Sequence, residues 1–480
     1  MMKRFAACLL PACLAVSVAL QAAPEELSSD RADLLSVYRL AVEHDAQLSA
    51  ARHDYQARLE AVPQARAGLL PQLSAGATVE ATRLDRDEPS LKRDRSGSVF
   101  RANLSQPLFR MDRWFQLKAA HAGVAQAGLE LSAKEQTLIL NAAQAYFETL
   151  RAADALAASK EEAIALERQL EQAKGRLEDG ASSITDVLDA QAAFDNAQAN
   201  RKLAERKVDD AYEALYRLTK RQYLAIEGIQ HTLPVEAPIP SDAKAWVDRA
   251  VQQNLSLQAT NYAVAAAEET RSQRKAGHAP TLDAVASYRK GDNDSFGYTN
   301  PTDYGQNGYG GQVAQSSIGL ELNIPLYSGG MVSSQVREAT ERLAQAEDER
   351  EDRRREVVQN TRNFYRSVNS DIEQVLARRQ TIRSSQASLE SNQVGAEVGT
   401  RNTVDVLNAQ RQLYNAVREY NNARYDYIID TLKLKQAAGT LSTADLSELA
   451  GYLTEHYDPE RDFLPPEISK ETLHKRPVLD

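Results

Sequence analysis

A twelve-residue segment occurs twice in this chain, 219 positions apart. Residues 180–191 read G-A-S-S-I-T-D-V-L-D-A-Q and residues 399–410 read G-T-R-N-T-V-D-V-L-N-A-Q. Gly180, Asp186, Val187, Leu188, Ala190 and Gln191 match Gly399, Asp405, Val406, Leu407, Ala409 and Gln410, and Asn196-Ala197 matches Asn415-Ala416 at the same offset. A match of this length means that one structural unit was built twice. Each copy sets a Gly before an Ala/Leu/Gln-rich amphipathic run, with an Asp in the first turns. The unit is therefore expected to be a helical hairpin turning at its Gly.

The rest of each half follows one plan. Residues 30–68 form an Ala-rich amphipathic helix, stopped by Gly68 and Pro71. Residues 72–84 and 97–107 alternate apolar with polar, the period of a strand with one wet face. A polar link covers 85–96, and Pro107-Leu108-Phe109 closes the second strand. From Asp112 to about Asp179 nothing but scattered Gly interrupts the helical pattern. Leu117, Val124, Leu131 and Leu138 recur every seven residues, a coiled-coil seam. Some 65 residues at 1.5 Å each make a rod of roughly 100 Å. A second helix runs from Ser183 to Thr219. In the other half, a helix over 241–277 stops at Gly277 and Pro280. Strands follow at 280–290 and 313–325 around a Gly/Asn/Tyr/Asp-rich loop. Pro325-Leu326-Tyr327 then precedes long helices to 398 and from 403 to 438. The first repeat thus spans 30–222, a Pro-rich linker 223–240, and the second repeat 241–438. Residues 439–480 form a C-terminal segment whose Pro-rich end, after Tyr457, is expected to be flexible.

The N-terminus points to export. Lys3 and Arg4 precede an apolar run from Phe5 to Leu20, and Ala22 and Ala23 precede Pro24-Glu25-Glu26. That is a secretory signal peptide, 1–22, cleaved near Ala22 or Ala23. Both cysteines, Cys8 and Cys13, lie inside it, so the mature chain has no disulfide or thiol chemistry. The formal charge is −10, and loss of Lys3 and Arg4 takes it to −12. An acidic chain of this kind argues against a nucleic-acid partner. Four strands of about ten residues have the length and alternation of outer-membrane barrel strands. Four strands cannot close a barrel, and an open sheet edge cannot face lipid. Closure therefore requires more than one copy of the chain.

The signal peptide, the duplicated helix–strand–strand–hairpin plan and the paired G-x5-D-V-x-[DN]-A motifs together resemble the TolC-type outer-membrane channel-tunnels. The second motif, V-G-T-R-x-x-V-D-V-L at 398–407, and A-x-G-T-L at 437–441 strengthen the likeness, which covers about residues 30–440. The resemblance implies a mainly α protein with membrane β, a homotrimer whose twelve strands close one barrel. A long helical barrel would continue it into the periplasm and close at its end like an iris. It further implies a passive exit duct for type I secretion or multidrug efflux in the outer membrane, with no enzymatic activity and no cofactor. Its partners would be outer-membrane lipids, a periplasmic adaptor and an inner-membrane ABC or RND transporter.

The same resemblance assigns roles to residues. Asp186, Asp189 and Asp405 would form an acidic ring at the periplasmic entrance, with Asn408 standing where the family has a second acid. Arg401 matches an Arg that ties the second hairpin to the Asp of the first, here Asp186. A Tyr that helps hold the closed state falls here on Ala396. Gly180, Gly395 and Gly399 would be hairpin-tip sites where the adaptor docks. Pro71, Pro107, Pro280 and Pro325 mark the strand-to-helix junctions, and Phe109 and Tyr327 suit an aromatic belt. Each assignment has a plainer counterpart. Asp186–Asp189 and Asp405–Asn408 are three apart and share a helix face, where a carboxylate near the N-terminus is favoured by the helix dipole alone. The glycines serve equally as turn residues, the aromatics as packing, and the alternating charges of Glu347–Glu356 as a solvated helix face.

The seven histidines have no metal-ligand spacing, and there is no phosphate loop, nucleophile elbow or dinucleotide fingerprint. An envelope hydrolase using the Asp pairs would need an oxyanion donor, a His or a metal beside them, and none accompanies them. A non-conducting coiled-coil protein spanning the periplasm accounts for the helices and leaves the four strands unexplained. A lipidated drug-efflux factor remains open, because Leu10-Pro11-Ala12-Cys13 faintly matches a lipoprotein cleavage site.

Overall fold

The computed structural model describes residues 31–87, 91–180, 182–292, 312–454 and 456–465. The expected signal peptide, most of the loop at 291–312 and the end of the tail lie outside them. In chain order the elements are β1 (Arg31–Ala32), α1 (Leu34–His44), α2 (Ala46–Leu59), α3 (Ala61–Ala67), β2 (Gln72–Arg86), β3 (Leu91–Phe109), α4 (Met111–Glu178) and α5 (Ile184–Thr219). Two short strands follow, β4 (Ala225–Ile226) and β5 (Gly228–Ile229). The second half runs α6 (Ala243–Gln253), α7 (Leu255–Lys275), β6 (Thr281–Asp292), β7 (Gln312–Asn323), α8 (Met331–Glu397) and α9 (Thr403–Ala437). The chain closes with α10 (Thr443–Ala450), β8 (Leu453–Thr454) and α11 (Pro459–Asp462).

The two helices expected to be continuous before the strands are broken. At Asp45 the backbone is extended (φ −67°, ψ 117°), and at Asn254 it is nearly the same (φ −61°, ψ 119°). Each residue ends one helix and caps the next. Its side chain accepts a hydrogen bond from the amide three residues on, Leu48 at 2.6 Å and Leu257 at 3.0 Å. A short polar side chain that captures a free N-terminal amide competes with helix continuation, so Asx residues favour such breaks.

The four long strands form one antiparallel sheet in the order β2-β3-β6-β7. The stretch expected as a polar link, 85–96, is mostly strand. Its backbone register sets Arg83 opposite Asp94 and Asp85 opposite Lys92. β3 likewise runs past Pro107 to Phe109, with an irregularity in its pairing to β6 between those residues. The bulge accommodates a residue with no amide hydrogen and brings Phe109 opposite Leu282.

The long helices α4 and α8 have 68 and 67 residues, so each is about 100 Å long. Over their halves near the sheet they pack with α1–α3, α6 and α7, and over the far halves with α5 and α9. Around mid-length a belt of short elements wraps them. β1 pairs with β4 in parallel, and β5 with β8 antiparallel. Beneath the belt Tyr146, Phe147, Leu150, Tyr425, Ile428 and Tyr457 make the largest apolar cluster. The segment after Tyr457, expected to be flexible, is docked as far as Pro465. Phe463 and Leu464 are buried, Asn421 donates to the Phe463 carbonyl at 2.8 Å, His231 bonds the Asp462 carbonyl at 2.9 Å, and Lys160 pairs with Glu460 at 2.7 Å.

Candidate functional site: the two-faced sheet and the hairpin tips

Strict alternation gives the sheet two unlike faces. One carries Leu73, Ala75, Phe100, Leu104, Tyr288, Ile318 and Leu320, in register across all four strands. Leu73 is 75% exposed, Ile318 88% and Leu320 70%. A contiguous apolar surface left this bare needs an apolar neighbour, and lipid is the one a strand of this length fits. The other face carries Ser74, Gly76, Thr78, Arg101, Asn103, Ser287, Arg289, Ser317 and Glu321. Ser287 and Ser317 hydroxyls lie 2.8 Å apart across β6 and β7. β2 and β7 each have an unpaired edge within the chain. Pro71 and Pro280 immediately precede β2 and β6, and Pro325 follows β7, whereas Pro107 sits inside β3 at the bulge. Just beyond, Arg110 ties the start of α4 to the sheet through Asp283 at 3.2 Å.

At the opposite end both hairpins turn on a glycine in the left-handed region, Gly180 at φ +72° and Gly399 at φ +77°. A side chain there costs about 1 kcal/mol or more. In the second turn the Gly395 carbonyl accepts from the Thr400 amide at 2.8 Å, the closure of a Schellman motif. Gly395 itself is needed for space, because a Cβ on it would lie 2.6 Å from Cγ of Arg401. The tips meet one another: Leu407 of α9 packs with Leu166, Leu170, Ala190 and Ala193 of the first hairpin. Asp186, Asp189 and Asp405 are thereby brought to one end of the molecule.

Asp186 and Asp405 have a local task that the spacing S-x-x-D and N-x-x-D could have revealed. Each occupies the third helical position of a capping box. The Asp186 carboxylate accepts from the Ser183 amide at 3.0 Å and from the hydroxyls of Ser182 at 2.8 Å and Ser183 at 3.0 Å. These bonds, the amide's first, hold its carboxyl below the usual Asp range. Asp405 accepts from the Asn402 amide at 3.3 Å. Asp189 is exposed on α5, and Asn408 accepts from Arg411 at 2.6 Å. Arg401 is not joined to Asp186 within the chain: its stem lies over Gly395, while Asp186 turns back to its own cap. Among the described residues no cluster of His, Cys, Asp or Glu is placed to hold a metal ion, and no helix is long and apolar enough to cross a membrane.

Comparison with known proteins fits this geometry. The sequence pattern of the family described as outer membrane efflux protein matches residues 37–219 and 246–440, one stretch per repeat. The chain belongs to the outer membrane efflux protein family. It is 36% identical to outer membrane protein TolC of Vibrio cholerae, over 87% of this chain and 93% of that one. To the alkaline protease secretion protein AprF of Pseudomonas aeruginosa it is 29% identical, over 89% of each. The crystal structure of the outer membrane protein VceC from Vibrio cholerae has the same fold. That similarity has a TM-score of 0.71 at 16% identity, over 85% of this chain and 96% of that one. Membership makes the protein an outer-membrane channel-tunnel, an exit duct and not an enzyme.

Proposed function

We propose that three copies close a twelve-stranded barrel, and that the assembly is a passive duct opened at its periplasmic end when other proteins recruit it. The observation that carries this reading is the four-stranded sheet with a bare apolar face and two unpaired edges. A second supports it from the helices. Ala157 of α4 is buried to 2% exposure against α9, while Leu376, 219 positions later on α8, is 60% exposed. The flank of α8 lacks the neighbour that α4 has, and α5 of the next copy is the helix equivalent to α9. Native mass spectrometry and single-channel recording in planar bilayers test the proposal together. A trimer with large, stable conductance is the expected result; a monomer that conducts nothing overturns it.

The names of its relatives extend the reading to substrates and partners. One is named for secretion of a protease and another, of Brucella suis, for efflux. Accordingly we infer that the duct serves type I secretion and drug efflux, coupled to a periplasmic adaptor and an inner-membrane ABC or RND transporter. Gly180, Gly395 and Gly399 suit the adaptor's docking, because small residues permit close approach. Arg401, unpaired with Asp186 inside one chain, is proposed to reach an Asp186 of the assembled ring as the closed-state latch. An exposed pair is worth only about 0–1 kcal/mol, but the ring repeats it three times. Arg401→Glu should raise conductance; wild-type conductance would refute the latch. Asp405, Asp186 and Asp189 are proposed to ring the mouth, with Asp189 standing in for the acid absent at Asn408. A trivalent cation added from the periplasmic side at low salt should block the current. Asp405→Ala should weaken that block most and Asp189→Ala further, and an unchanged affinity in Asp189→Ala removes it from the ring.

A further inference from the structure

We infer that the seam between copies is closed by ion pairs, with Arg362 and Arg366 of α8 in one copy meeting Asp209 and Glu213 of α5 in the next. The occupant of this unpartnered helix flank is a second copy of the chain, and the inference rests on the proposed three-copy ring. Inside the chain, one stripe of α4 is buried under α9: Ala143, Phe147, Leu150, Asp154 and Ala157. The Tyr425 ring lies 6.1 Å from that of Phe147, and its hydroxyl donates to Asp154 at 2.7 Å. Ile428 and Leu432 continue the α9 stripe in the same apolar cluster. Apart from Asp154 and the tyrosine hydroxyl, the two stripes are apolar.

The repeat offset of 219 carries both stripes to the second seam. On α8 the α4 stripe becomes Arg362, Arg366, Asn369, Glu373 and Leu376. On α5, Tyr425, Ile428 and Leu432 become Arg206, Asp209 and Glu213. All of these are exposed except Asn369, which is partly buried. Tyr425 sits between Phe147 and Asp154 on an antiparallel neighbour. The same register sets Arg206 between Arg366 and Glu373, Asp209 between Arg362 and Arg366, and Glu213 beside Arg362. The α8 flank is thus basic and then acidic where the α5 flank is acidic and then basic. A slip of one turn brings Arg206 between Arg362 and Arg366, so the pattern also penalises the wrong register.

These groups have little to hold them inside the chain. Arg362, Asp209, Glu213 and Glu373 make no hydrogen bond or ion pair among the described residues. Arg366 bonds the neutral Asn363 at 2.6 Å. Arg206 reaches Asp210 on its own helix at 3.5 Å, with 78% and 66% of the two side chains exposed. Neighbouring cations are engaged or meet neutral groups. Arg354 and Arg355 are held by Glu351, and Lys244 by Asp248. Lys207 stands where Asp426 does, and its counterpart on α8 is Ser370, which replaces Arg151. Arg217, one turn past Glu213, comes level with Gln359. Arg362 and Arg366 also line an open groove between α6 and α8 whose charged residues are mostly basic, and an acidic helix flank complements it. A seam of this kind weakens as salt screens it, whereas an apolar seam does not.

Cross-linking tests the register. The chain's cysteines, Cys8 and Cys13, lie in the expected signal peptide, so E213C/R362C adds the mature protein's only thiols. Oxidation should link copies into a ladder ending at a trimer on a denaturing gel, and E213C/E390C, with its second thiol far along α8, should give none. Charge variants test the chemistry. D209R and R366D should each speed dissociation of the detergent-solubilised trimer by roughly tenfold, and D209R/R366D should restore most of its lifetime. Raising salt from about 0.05 M to about 1 M should shorten the wild-type lifetime and affect D209N/R366Q less. Should a reversal block assembly, D209N and R366Q decide by an intermediate loss. A wild-type trimer that does not cross-link through E213C/R362C, or whose lifetime these charge changes leave alone, overturns the ionic seam. Failure of the three-copy reading looks different: native mass spectrometry then finds no wild-type trimer at any salt concentration.

Discussion

Replacing one buried carboxyl by its neutral isostere should change how the fold responds to pH. Asp154 lies on α4 beneath the mid-length belt, where Tyr425 of α9 donates to Oδ2 at 2.7 Å and the Tyr457 hydroxyl donates to Oδ1. Burial outweighs those bonds and pushes the carboxyl up from 3.8 to about 6. A carboxyl with a raised pKa in the fold stabilises it fully below the unfolded value. That contribution is lost as pH rises through the folded value. The shift corresponds to about 3 kcal/mol, lost between pH 4 and pH 6–7. Asp154→Asn stays neutral and keeps an oxygen for one tyrosine and an amide hydrogen for the other. Its stability relative to wild type should therefore rise by about 3 kcal/mol over that interval and then level off. The opposite trend of His231, whose pKa burial and then Arg424 lower to about 4, costs stability as pH falls from 6.5. It is common to both proteins and cancels in the difference. Denaturant midpoints of the helical circular-dichroism signal in detergent, taken at half-unit steps, supply the measurement. Parallel pH curves for the two proteins would refute the reasoning, and Asp154→Ala should instead be destabilised at every pH by about 1–3 kcal/mol per orphaned hydroxyl.

Gly439 has φ +74°, and a Cβ on it would overlap the Gln253 carbonyl where α6 ends. Gly439→Ala should cost about 2–4 kcal/mol in the same unfolding assay, whereas Gly319→Ala, in open space, should not. Ser183→Ala and Asn402→Ala each remove a cap worth about 1 kcal/mol, and hydrogen exchange at the first turns of α5 and α9 should rise; unchanged exchange would deny the caps a stabilising role. Ile318→Arg on the apolar sheet face should cost about 2–4 kcal/mol in a bilayer and lower the yield of membrane-assembled protein, and normal assembly would mean that this face does not meet lipid. Glu373 of α8 and Arg206 of α5 stand 219 positions from Asp154 and Tyr425 respectively. If copies pack as the repeats do, Glu373→Arg should weaken the trimer and Arg206→Glu should restore it in the double variant; no restoration would deny that register.

What was legible in the sequence was whatever has a local cause. The seven-residue spacing of Leu117 to Leu138 and the glycines at 180 and 399 set the long hairpins, because periodicity and left-handed backbone are decided within a few residues. The breaks at Asp45 and Asn254 were hidden by Ala-rich flanks that read as helix on both sides. The strand over 85–96 was hidden because its polar residues suggested a loop, although its backbone stays in register with β2. The docked C-terminal segment and the Asp154–Tyr425–Tyr457 contact had no local signature. Their partners lie 271 and 303 residues apart, and only folding brings them together. At the tips the motif was plain, but its first task was missed. Ser183 and Asn402, three residues before the acids, make capping boxes that orient Asp186 and Asp405 whatever else those carboxylates do.

The two repeats keep different offsets, and the difference locates what the fold can vary. Asp33 and Asp242, Asp45 and Asn254, Gly68 and Gly277, and Pro71 and Pro280 are each 209 positions apart; the hairpin tips are 219 apart. Nine of the ten added residues enter between Pro280 and Pro325, where the connection from β6 to β7 is longer than that from β2 to β3, and the tenth enters between Tyr327 and α8. A connection beyond the paired strands can grow at little entropic cost, whereas one residue added within α4 or α8 would rotate every later side chain by about 100° and misplace the seam. Helix lengths are therefore nearly equal, 68 against 67 and 36 against 35. Equal rods can tile a ring only if every flank finds an equivalent neighbour. Within the chain α4 has α9 on one flank, stapled by the C-terminal segment through Asn421, Lys160 and Tyr457. The corresponding flank of α8 ends at Leu376 and Glu373, exposed on the surface. The seam that the segment staples is internal to the chain, so if three copies close the ring as proposed, the unstapled seam between them is where hairpins would part with fewest contacts to break.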